Sequence, residues 1–80
     1  MDRPKIPFKK FKKNWEGIVL PMTPSNIRRG QALMDYLANV WYDEYVRISA
    51  IDYYDETDID CFFNSKLIPN TLAHLEKVWK

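Results

Sequence analysis

Hydrophobic positions recur at helical spacing over one long stretch of the chain, from Thr23 to Ile48. At 100° per residue, Ile27, Met34, Leu37, Ala38, Trp41, Tyr45 and Ile48 fall on one stripe, and Leu33 and Val40 widen it. Arg28, Asp35, Asn39 and Asp43 lie opposite. The pattern predicts a helix over about 24–47, covered on one face. Thr23 followed by Pro24 reads as its start, with the threonine as N-cap and the proline at the first helical position. Nothing before Tyr42 stops the helix, but bulky Trp41-Tyr42 leaves a break or kink there as an option. Gly30 falls on the buried stripe, where glycine costs roughly 1 kcal/mol of helix stability relative to alanine. Close approach of another backbone or ring is the expected reason.

A second helical pattern follows near the C-terminus. Ile68, Leu72, Leu75 and Trp79 are spaced four, three and four apart, and Pro69 suits a first turn. This predicts a helix over about 69–79, docked on the long one. The segment Phe8–Trp15 is ambiguous. Phe8, Phe11 and Trp15 sit at i, i+3 and i+7 with lysines between, as in a short basic helix ended by Gly17. The same residues also read as a strand, a turn at Asn14–Gly17 and a second strand at Ile18–Leu20. Residues 1–7 contain two prolines and read as extended or mobile. A hairpin of Ile48–Tyr54 with Ile59–Phe63 is a further option. The expected fold is therefore mainly α: one small domain of 80 residues, two principal helices and the basic segment packed across them. The alternative is α+β, with a short hairpin or small sheet near 18–20 and 59–63.

Composition adds three points. Three Trp, five Tyr and four Phe supply much core area from few residues. The net charge of +1 hides a division: residues 1–20 carry six basic and two acidic groups, hence +4, and residues 41–60 carry one basic and seven acidic groups, hence −6. Such a split bears on partners and steering rather than on fold. The single cysteine, Cys61, lies among apolar residues and reads as a buried, unreactive thiol in a reducing, cytoplasmic setting. No apolar run is long enough to span a membrane, and no membrane partner is expected.

Chemistry finds little purchase. The only histidine, His74, lies at the edge of the C-terminal stripe and reads as a rim residue rather than a general base. One Cys and one His cannot form a common zinc site, and two glycines do not make a phosphate loop. The acidic run does not fit a calcium loop in either register tried, from Asp52 or from Asp58. No catalytic residue, metal site or cofactor is expected, and the chain reads as a non-enzyme. Two surfaces remain. Asp52, Tyr53, Tyr54, Asp55, Glu56 and Asp58 form an acidic loop whose tyrosines could anchor a charge-steered protein contact. Phe8, Lys9, Lys10, Lys12, Lys13 and Trp15 form a basic aromatic segment able, in principle, to meet phosphates and stack on bases. Homo-oligomerisation is left open.

Three groups of residues carry a resemblance: Arg29-Gly30-Gln31-Ala32-Leu33-Met34, then Asp60-Cys61-Phe62-Phe63, then Ile68-Pro69 with Leu72 and Trp79. From Arg29 onward the chain resembles small uncharacterised proteins of bacteriophages and prophages. Residues 1–20 lie outside that likeness, and 49–58 are longer than it needs. No functional residue carries over. The resemblance implies an accessory protein that binds a host protein in the host cytoplasm, a class that includes inhibitors of defence or host-takeover targets. Nucleic-acid binding through residues 8–15 is the alternative.

Overall fold

A computed structural model describes residues 3–49 and 59–79, and over these the fold is mainly α with no strand. Helix α1 (Phe8–Asn14) continues through a π-helical turn (Trp15–Val19) into the short α2 (Leu20–Met22). Helix α3 (Arg29–Val40) and helix α4 (Tyr42–Ser49) follow, then a 3₁₀ turn (Ser65–Leu67) that leads into α5 (Ile68–Val78). The ambiguous N-terminal segment is thus helical, and the hairpin at 18–20 does not form. Strand pairing of residues 48–54 with 59–63 falls partly outside the described residues.

The π turn has a local cause. Pro21 lacks an N–H, and in a regular helix its ring crowds the carbonyl four residues back, that of Gly17. Widening the helix by one residue relieves this, and the Leu20 N–H bonds to the Trp15 carbonyl five residues back. Gly17 therefore lies inside the helical run rather than ending it. The end comes at Thr23, whose N–H bonds to the Leu20 carbonyl at 3.2 Å and whose hydroxyl donates to the Val19 carbonyl at 2.7 Å. Thr23 closes the first helical rod instead of capping the next.

Helix α3 starts five residues later than the Thr23-Pro24 signal places it. Pro24 to Ile27 form a turn, with the Ile27 N–H bonded to the Pro24 carbonyl at 3.1 Å. Arg28 occupies the N-cap position and offers no side-chain cap. The cap is supplied from elsewhere: the Gly30 N–H donates to the Ser65 hydroxyl at 3.1 Å. Ile27 consequently lies outside the helix and is exposed, not on the buried stripe. The remaining stripe behaves as its period requires, with Leu33, Met34, Leu37, Val40, Trp41 and Ile48 buried.

The long helical pattern is two helices with a one-residue break at Trp41, whose φ of −150° and ψ of 79° are not helical. The break releases the Val40 carbonyl, and the Lys5 N–H takes it at 3.0 Å. It also turns the Trp41 ring into the core, edge-on to Trp79 with centroids 5.2 Å apart. Trp79 further meets Phe8 at 5.4 Å and Phe11 at 5.0 Å, and Phe11 stacks on Tyr36 of α3 at 4.6 Å. Each such pair adds about 0.5–1.5 kcal/mol beyond area burial. The Trp79 indole N–H donates to the Ile6 carbonyl at 3.0 Å. Residues 3–7, expected to be extended or mobile, are non-helical and are held by these two backbone contacts. The basic segment packs across the main helices through Phe8, Phe11 and Trp15, as its spacing implies.

Candidate functional site

Helix α4 sorts its side chains by period. Trp41, Glu44 and Ile48 point inward at spacings of three and four, while Tyr42 and Val46 stay exposed at i and i+4. Tyr42 is 57 % exposed, and its ring lies 5.9 Å from that of Tyr45. Asp43 and Glu44 occupy the first turn, where negative charge suits the helix dipole, and Arg47 lies in the last turn. The helix leads into the acidic segment. Asp52, Tyr53, Tyr54, Asp55, Glu56 and Asp58 all lie outside the described residues.

Beneath α4 lies a charged group that the sequence reading passed over. Glu44 is 0 % exposed. One carboxylate oxygen is 2.9 Å from His74 Nε2 on α5, and the other accepts from the Arg47 guanidinium at 2.8 Å. His74 is 4 % exposed, which corrects its expected place at the rim. In an open cleft, a histidine beside a carboxylate would resemble a general base with its orienting acid. Here both partners are sealed in the helix interface, where no substrate can reach them. The pair ties α4 to α5. Its signal was available: Glu44 sits three residues after Trp41 and four before Ile48, the one charged position on an apolar stripe.

Cys61 is fully buried, and its thiol lies 3.5 Å from the Gly30 carbonyl, which it faces as donor. Burial pushes the thiol above its ordinary value of 9.0, opposed in part by a hydrogen bond with Thr71. Thr71 is itself buried, 2.6 Å from the Ile59 carbonyl and 3.1 Å from that of Leu67. An unexposed thiol held protonated is a poor nucleophile. Iodoacetamide at neutral pH should label Cys61 at least about 100-fold more slowly in the native protein than in urea. Mass spectrometry reads the rate, and equal labelling in both states would refute the buried placement. The linkage sign also follows. Because the folded pKa is raised, the contribution of Cys61 to stability is complete below pH 9.0, the unfolded value, and is lost as pH climbs through the folded one.

The basic segment divides cleanly. Lys9, Lys10, Lys12 and Lys13 are all exposed on α1. Trp15 and Phe11 are buried, and Phe8 is half-buried against Trp79. The helix therefore shows lysines outward and keeps its rings in the core, so base stacking by Trp15 would require it to leave the core.

Among the described residues, no three of His, Cys, Asp and Glu gather as metal ligands. No described helix is long and apolar enough to cross a membrane. No protein-family model, curated protein or solved structure is significantly similar to this chain, so its function has to be argued from its own surfaces.

Proposed function

We propose that the chain is a non-enzymatic binding protein, and that it acts as a phage accessory factor that engages and inhibits a host protein. The observation that carries the reading is the outer face of α4. Tyr42 and Val46 stand exposed on a helix that leads straight into a segment rich in aspartate, glutamate and tyrosine. An exposed tyrosine on a helix followed in the sequence by clustered carboxylates and two further tyrosines suits a partner with a basic surface: carboxylates steer an encounter and rings supply buried contact area. The resemblance from Arg29 onward supplies the phage setting. The interior placement of His74 and Cys61 agrees with a binding rather than a catalytic role.

The test is capture of a stoichiometric partner from host lysate, repeated with a triple reversal of Asp55, Glu56 and Asp58 to lysine and with Tyr42→Ala. Either change should lower affinity about tenfold or more if the surface is the interface. Equal retention by both variants would remove this surface from the reading. The four exposed lysines favour a second reading, nucleic-acid binding by α1. With its rings in the core, such binding would rest on phosphate contacts. Affinity should then fall steeply with salt, with a log–log slope of about −3 to −4 for four lysines. No binding at low salt would end it.

A further inference from the structure

The rod of residues 8–22 and helix α3 form an antiparallel hairpin with an apolar groove on its outer side. Ile18 is 59 % exposed and Met22 77 %, and both line this groove with Ile27, Ala32 and Tyr36. Single exposed apolar residues are ordinary, but several sharing one groove mark a surface that is covered in use.

Charge indicates what covers it. Asp35 borders the groove on one side. Past Thr23, Pro24 and Ile27 it continues to Arg29. Neither side chain makes an ion pair with a described residue. The two are six residues apart on one helix, about 9 Å along its axis. An apolar strip with one charge of each sign at its two ends is its own complement under a half-turn. A half-turn about an axis midway between the two charges would bring Arg29 of each copy toward Asp35 of the other and face the two apolar strips together.

We propose that this groove is the two-fold interface of a homodimer. The surface shares no residue with the α4 face, so dimerisation leaves that face available and does not rest on its reading. The chain exposes 5444 Å² in all. A contact confined to this groove and its rims would cover about a tenth of that per copy, the small end of specific interfaces, and the dimer forms in the micromolar range.

Sedimentation equilibrium of the full chain from about 5 to 500 µM tests this directly. The average mass should rise from the monomer value of 9.6 kDa toward twice that. Met22→Lys should hold the protein monomeric with an unchanged circular dichroism spectrum, because that side chain carries no packing in the monomer. Arg29→Asp and Asp35→Lys should each weaken association at least about tenfold. The double variant should recover to within about threefold of the parent, because exchanging the two ends preserves the self-complement. An equimolar mixture of the two single variants should associate more tightly than either alone. A constant monomer mass, or a dimer indifferent to Met22→Lys, overturns the proposal. Association that the double exchange does not restore overturns the two-fold pairing.

Discussion

Gly30→Ala is expected to lower the unfolding free energy by about 3 kcal/mol, against a helix-propensity gain of about 1 kcal/mol in the opposite direction. A Cβ at Gly30 would overlap the carbonyl oxygen of Cys61 and lie 2.8 Å from its carbonyl carbon. That carbonyl is not free to retreat, because it accepts from the Asn64 N–H at 3.2 Å. The Gly30 N–H and carbonyl are engaged as well, by Ser65 and by the Cys61 thiol, so the whole crossing must shift together. Gly17→Ala provides the contrast. A Cβ there meets nothing within 4 Å, so the substitution should raise stability by about 0.5–1 kcal/mol. Urea midpoints compare the two on one scale. Equal effects of the same sign would show that α3 does not pass Cys61 as closely as described.

Removal of Glu44 has the second large effect. Glu44→Leu removes the buried carboxylate that His74 meets at 2.9 Å and should cost about 3 kcal/mol, or a drop on the order of 15 °C in melting temperature for a domain of this size. His74→Leu takes one buried partner from the carboxylate and should cost about 2 kcal/mol. Arg47 does not rescue the loss, since its side chain is partly exposed and a pair of that kind contributes about 1 kcal/mol or less. Replacing both residues by leucine removes both desolvated groups at once, and should leave the double variant more stable than the sum of the singles by at least about 1 kcal/mol. Strict additivity would mean that the two do not act as a pair.

The fate of individual residues shows which features were legible. Leu33, Met34 and Leu37 lie inward on α3, and Ile48 on α4, because a 3.6-residue period gives each helix one apolar face to dock. Pro69 sits in the first turn of α5, where a missing N–H costs nothing. Gly30 could be read as a point of close approach because it interrupts a buried stripe for no local reason. Thr23-Pro24 misled. The residues are a sound N-cap signal, but the threonine hydroxyl was taken by the Val19 carbonyl of the preceding rod. The cap of α3 came from Ser65, thirty-five residues away, which no local pattern contains. His74 escaped notice for the same reason, because it looks like a rim residue until α5 meets α4. Glu44 was legible, as the one charged position on an apolar stripe.

By itself, then, the sequence determined the class of the fold and the inner faces of its helices, since both follow from periodicities within a single segment. It also determined the division of charge between the basic first helix and the acidic segment beyond α4. Tertiary structure decided where α3 begins, that the break left open at Trp41-Tyr42 is made, and that the lysines of α1 are displayed without their rings. It decided too that Ile18, Met22 and Ile27 share one groove between Arg29 and Asp35. Each of these depends on a contact between residues distant in the chain, whose free energy exceeds the few tenths of a kcal/mol by which local propensity favours one conformation over another.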